Sequence, residues 1–132
     1  MNEREINALC DRVRQLAFEI HVYLRQGHLE KIYENALAHR LAKAGIAAKQ
    51  QYPLNVWDED GTLLGQYYVD ILVEDILILE IKAAKSLATE HEAQVFGYLR
   101  AARLQHALLL NFGATKFQIR KFALSQVKPL KS

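Results

Sequence analysis

Tyr67-Tyr68-Val69-Asp70-Ile71-Leu72-Val73 and Ile76-Leu77-Ile78-Leu79-Glu80-Ile81-Lys82 are two short apolar runs separated only by Glu74-Asp75. Runs of Ile, Leu and Val of this length, with a turn signal between them, read as neighbouring strands of one sheet. Charge interrupts both: Asp70 stands in the first run, Glu80 and Lys82 in the second. A charged side chain in such a run points into a core or a cleft, where it needs a partner. Two acids and one base either offset one another as a buried ion-pair network or hold a metal ion. The second option would make the protein a metal-dependent hydrolase.

Strand geometry sharpens the choice. Glu80 and Lys82 are two apart and therefore share a face. A two-residue turn at Glu74-Asp75 would pair Val73 with Ile76 and turn Asp70 away from Glu80. A three-residue loop, pairing Val73 with Leu77, or a bulge near Asp70, would bring the two acids together. The metal-site reading requires one of these. Asp70 and Glu80 would then offer hard oxygen ligands, suited to Mg2+ or Mn2+ rather than zinc. The backbone carbonyl of Ile81 could add another ligand. Lys82 could orient a water or stabilise charge on phosphorus.

Outward from this hairpin the chain reads as alternating helices and strands. Upstream, Ile6, Leu9, Val13, Leu16, Ile20 and Tyr23 recur at spacings of three and four, an amphipathic helix over residues 3–25 that Gly27 breaks. A second helix runs from about Leu29 to Ala44, with Leu29, Tyr33, Ala36, Leu37, Leu41 and Ala44 inward, and Gly45 stops it. Residues 46–57 read as a strand that Pro53 confines to an edge or a bulge. Asp58-Glu59-Asp60-Gly61 is a turn, and residues 62–73 and 76–82 are the next strands. Thr89 and Glu92 have capping-box spacing, predicting a helix from Thr89 to about Leu104. Residues 106–112 and 116–124 complete the strands, with Asn111-Phe112-Gly113 as a turn. The order α-α-β-β-β-α-β-β predicts a central mixed β-sheet flanked by helices, in a single domain over residues 1–132.

Composition bounds the function. The chain has 132 residues, 51% of them hydrophobic, enough for one core. No apolar stretch approaches the roughly 20 residues of a membrane span, and the N-terminus lacks a signal-peptide pattern. Cys10, the lone cysteine, excludes an internal disulfide. A cytoplasmic location is the expectation. The net charge of +2 conceals an asymmetry: residues 1–92 carry all 15 acids against 10 bases, whereas residues 93–132 carry 7 bases and no acid. A basic C-terminal third is either a footprint for a polyanion such as nucleic acid or merely a basic surface. The five histidines form no metal-ligand spacing, so a zinc site is not expected.

Taken together, several motifs resemble the GxxExxY proteins, small bacterial and archaeal proteins assigned to the PD-(D/E)xK nuclease-like superfamily. Gly27-His28-Leu29-Glu30-Lys31-Ile32-Tyr33 matches the naming signature. The resemblance continues through Tyr33-Glu34-Asn35-Ala36-Leu37, Asp70-Ile71-Leu72-Val73-Glu74-Asp75 and Leu79-Glu80-Ile81-Lys82-Ala83. It extends over His91-Glu92-Ala93-Gln94-Val95-Phe96-Gly97-Tyr98-Leu99-Arg100 to Leu110-Asn111-Phe112-Gly113, nearly the whole chain. The resemblance implies an α/β, restriction-endonuclease-like core and a divalent-metal-dependent nuclease, acting on DNA rather than RNA.

The resemblance also implies roles. Asp70 is the acidic residue of the first motif, and Glu80 and Lys82 form the Glu-x-Lys motif. Glu30 is the extra helical carboxylate that many members add to the metal site, and Gln94 is the polar residue of the following helix, with Tyr98 one turn later. Glu34 reads as a solvated neighbour of Glu30, and Tyr33 as a core residue. Tyr98, Arg100, Arg103, Lys116 and Arg120 are the candidate substrate contacts. Two departures stand out: Tyr68 where many relatives have Arg, and Arg25-Gln26-Gly27 where relatives often have Gly-Pro-Gly. A homodimer is an expectation too, because duplex cleavage needs two sites. The alternative is a non-cleaving nucleic-acid-binding or protein-interaction module on the same fold.

Overall fold

The computed structural model describes residues 1–124, so Lys128 and Lys131 of the basic C-terminal third lie outside the described residues. The observed order is α1 (Glu3–Leu24), α2 (Glu30–Lys43), β1 (Ala48–Trp57), β2 (Leu63–Val73), β3 (Leu77–Lys82), α3 (Thr89–Ala102), β4 (His106–Asn111) and β5 (Gln118–Ala123). The five strands form one sheet in the order β1-β2-β3-β4-β5. Only β3 and β4 are parallel, as a crossover through α3 demands; the other pairs are antiparallel. Pro53 sits on β1, the edge strand, where a missing N–H costs nothing.

The sheet separates two cores. Ile6, Leu9, Cys10, Val13, Ala17 and Ile20 of α1 and Tyr33, Leu37 and Leu41 of α2 pack on Ile71, Val73, Leu77, Leu79, Ile81, Leu108 and Leu110. Val95, Tyr98 and Leu99 of α3 pack on Leu54, Val69, Leu72, Ile78, Ala107, Leu109 and Phe122 on the other face. Tyr23 and Leu29, expected inward, are each 78% exposed. They flank the α1–α2 corner, where residues 25–32 are all exposed because the chain has run past the sheet. The corner turns through left-handed Arg25 (φ 61°) and Gly27 (φ 113°). Fully buried Tyr33 pins it: its hydroxyl donates to the Arg25 carbonyl at 2.5 Å and accepts from the His28 N–H at 3.1 Å. Gly27 and Tyr33 of the signature are thus accounted for by the shape of this corner.

The β2–β3 hairpin turns through Glu74 (φ 52°) and Asp75 (φ 58°), and the Ile76 N–H returns to the Val73 carbonyl at 3.0 Å. Ile76 is one residue more than a two-residue turn needs. Val73 therefore pairs with Leu77, Leu72 with Ile78 and Ile71 with Leu79. This three-residue register carries Asp70 to Glu80.

Two local expectations are corrected. Thr89 is the first residue of α3 and not its cap; the preceding Ala88 N–H is held by His91 Nδ1 at 3.1 Å. Asn111-Phe112-Gly113 is not simply a turn. Phe112 is fully buried and stacks on Tyr33, with ring centroids 4.7 Å apart. Fully buried Asn111 satisfies all four of its side-chain positions: Oδ1 accepts from the Ala84 and Gly113 N–H groups, and Nδ2 donates to the Ala84 carbonyl and Gln118 Oε1. It thereby ties down the chain just after Lys82.

Gly113 lies flat against that same stretch. A Cβ there would collide with the backbone of Ala83 and Ala84. Backbone cannot rotate aside as a side chain can, so Gly113→Ala is expected to cost about 1–3 kcal/mol. Urea unfolding of the two proteins checks this.

Candidate functional site

The ladder between β2 and β3 runs only as far as Ile71 and Leu79. Beyond it the carboxylates replace the backbone bonds. The Asp70 N–H donates to Glu80 Oε1 at 3.1 Å, and the Ile81 N–H donates to Asp70 Oδ2 at 2.7 Å. The two acids are therefore held side by side at the point where the strands part. Lys82 faces the same side as Glu80, and its Nζ donates to Gln94 Oε1 on α3 at 3.3 Å. One turn further along α3, Tyr98 is buried, its ring tilted against Tyr67 at 5.2 Å.

Electrostatics mark this place. Glu80 is only 4% exposed; burial first, and then the charge of Asp70, push its carboxyl up to about 9. Asp70 is raised as well, by burial and by the charge of Glu34, against the bond from Ile81. Burial and the nearby Glu80 and Asp70 push the Tyr98 hydroxyl up to about 12, so it stays protonated at neutral pH. Among the described residues, no Lys, Arg or His forms a salt bridge with Asp70 or Glu80.

The helical carboxylate near these acids is Glu34. It was expected to be solvated, yet it is 3% exposed. Gln50 Nε2 and Lys31 Nζ donate to its Oε2 at 2.7 and 3.2 Å, and Gln51 Nε2 donates to its Oε1 at 2.9 Å. Glu30 is exposed in the first turn of α2, one turn earlier. The helix enters at the exposed corner and meets the sheet only one turn later, so the second acid is the one carried inward.

The remaining candidates are more dispersed. Exposed Arg100 lies over the Phe96 ring at 5.9 Å. Arg103, exposed just past the end of α3, lines a surface cavity of about 170 Å³ with Arg100, Trp57 and the β1–β2 turn. Arg120 on β5 pairs with Glu92 at 3.5 Å, so part of its charge is already engaged. Lys116 is exposed on the β4–β5 loop. Sequence reasoning passed over Gln50 and Gln51 and read Asn111 only as part of a turn and a motif. Only Asn111, a polar residue ending an apolar run, carried a visible signal.

The profile of the PD-(D/E)XK nuclease superfamily matches residues 7–122. The chain belongs to that superfamily, and its three helices and five-stranded mixed sheet are a restriction-endonuclease-like fold. A solved structure titled "Crystal structure of SSO0001" is similar in fold, with a TM-score of 0.58 at 16% identity, covering 76% of this chain. The chain spans about half the length of that protein. No curated protein matches the sequence. No helix among the described residues is long and apolar enough to cross a membrane.

Nucleases of this superfamily generally use divalent metals, and the donor set here suits one. Asp70 and Glu80 supply hard oxygens without a paired cation. Among the described residues no three carboxylate, imidazole or thiolate groups converge into a cage. A cation at this place would therefore rest on two carboxylates completed by backbone, water and substrate oxygens.

The raised Glu80 carboxyl has a consequence in the metal-free protein. The unfolded chain loses this proton near 4.5 and the folded chain near 9. Between those values the folded state holds the extra proton, so stability falls as pH rises. In EDTA, the melting temperature is expected to decline from pH 5 to pH 9. Glu80→Gln is expected to flatten that slope and melt higher than the parent at pH 8. A structural ion pair would give the opposite result, with the variant destabilised at every pH.

Proposed function

We propose that the chain is a divalent-metal-dependent phosphodiesterase that cleaves nucleic acid, DNA in preference to RNA. The observation that carries this reading is the Asp70–Glu80 pair, held where β2 and β3 part by the Asp70 N–H on Glu80 and the Ile81 N–H on Asp70, and facing no salt bridge among the described residues. Membership of the nuclease superfamily supports the substrate class.

Asp70, Glu80 and the Ile81 carbonyl would hold Mg2+ or Mn2+. Such a cation supplies polarisation of the phosphoryl oxygen and a more acidic water. The protein's own groups do the rest. Lys82 places a positive charge beside the two acids, where it orients the attacking water and stabilises charge developing on phosphorus. Gln94 positions Lys82 through its 3.3 Å bond. Protonated Tyr98 offers a donor to a phosphate oxygen at the wall of the site. Glu34, in place of Glu30, adds negative charge behind Asp70. Arg100, Arg103 and Lys116 would track the phosphate backbone without reading sequence. Arg120 contributes less, because Glu92 already holds it.

The test is cleavage of single- and double-stranded DNA and RNA in Mg2+, Mn2+ and EDTA. Cleavage is expected in either metal and absent in EDTA. Lys82→Ala is expected to lower the rate by about 100- to 1000-fold, the usual cost of removing a group that stabilises transition-state charge, and Glu80→Ala by at least as much. Salt-sensitive binding without cleavage in any metal would replace this reading with that of a binding module.

A further inference from the structure

Gln51 stands opposite Asp70 on β1, because Gln50 pairs with Ile71 and Tyr52 with Val69. Its φ is 50°. A residue with a Cβ enters this left-handed region at a cost of about 1–2 kcal/mol and stays only where its surroundings over-determine it. Strand pairing does not explain the conformation, since the register is the same on both sides of Gln51. The side chains do.

In a regular strand Gln50 and Gln51 would point to opposite faces. Here both amides reach Glu34, Gln50 at 2.7 Å and Gln51 at 2.9 Å. The faces change over at this point. Val69, opposite Tyr52, packs in the α3 core, whereas Ile71, opposite Gln50, packs in the α1–α2 core, although they are only two residues apart. Gln51 Nε2 has two hydrogens, and two carboxylates lie within its reach: Glu34 Oε1 at 2.9 Å and Asp70 Oδ1 at 3.3 Å. Asp70 Oδ2 is meanwhile bonded to the Ile81 N–H. Each Asp70 oxygen thus has one donor that fixes its direction.

We propose that Gln51 is a positioning residue of the site: Glu34 holds its amide, its amide holds Asp70, and its left-handed backbone lets β1 deliver that amide between the two acids. The inference rests on reading Asp70 and Glu80 as the seat of a divalent cation. Partners that orient a metal ligand typically change metal affinity by about 10- to 100-fold when removed.

The experiment measures Mn2+ affinity by calorimetry, and melting in EDTA, for the wild type, Gln51→Gly, Gln51→Asn and Asp70→Asn. Glycine accepts the backbone and removes the amide; asparagine tolerates the backbone but is one methylene short of Asp70. Both Gln51 variants are expected to melt near the wild type in EDTA yet bind Mn2+ about 10- to 100-fold more weakly. Wild-type Mn2+ affinity in either Gln51 variant, with affinity lost in Asp70→Asn, would overturn the role of Gln51 alone. A wild type that takes up no Mn2+, or an affinity indifferent to Asp70→Asn, would overturn the cation site and this role with it.

Discussion

The structure turns on a substitution of side chain for backbone. Where β2 and β3 would continue their ladder, Asp70 and Glu80 accept the N–H groups instead. This satisfies donors that would otherwise be stranded in a mostly buried place, and it fixes two carboxylates side by side with no salt bridge to either among the described residues. The arrangement depends on a single residue of loop. Ile76 lengthens the hairpin by one, and without it Asp70 would face the opposite side of the sheet.

The rest of the site is built to hold this opening. Asn111 and Gly113, from the end of β4, grip the chain just beyond Lys82. The stacked rings of Phe112 and Tyr33 connect that grip to α2, and the Tyr33 hydroxyl fixes the corner through which α2 enters. Glu34, one residue after Tyr33, is linked to Asp70 through the Gln51 amide, while from α3 Gln94 accepts from Lys82 and Tyr98 feels the charge of both acids. The acids sit where contributions from both faces of the sheet meet.

Much of this was legible in the sequence, and the reasons are physical. Helical periodicity, apolar runs and turn signals placed all eight elements within a few residues, because the helices bury one face each while β3 and β4 are buried on both. The requirement that Asp70 meet Glu80 left a three-residue loop or a bulge, because a strand has only two faces, and the loop is what the register shows. The misses have equally definite causes. Glu30 and Glu34 share a helical face, so periodicity cannot say which turn meets the sheet. Gln51 was invisible because its place depends on a left-handed backbone that no local signal, such as glycine or asparagine, announces. Gly113 looked like any turn glycine; the backbone lying against it comes from residues 83–84, far away in sequence.

The same left-handed residue bears on the edge of the sheet. Among the described residues β1 is one edge of the sheet, and an open edge is a template on which another chain can add a strand. Trp57, Leu63, Leu64 and Tyr67 are all about half exposed on the outer part of the β1–β2 hairpin, the kind of surface that promotes such growth. A left-handed residue at Gln51, a proline two residues later and the acidic Asp58-Glu59-Asp60 tip interrupt that edge with features that disfavour strand addition. The left-handed residue in β1 thus lies beside the acids and also interrupts the edge on which another strand could add.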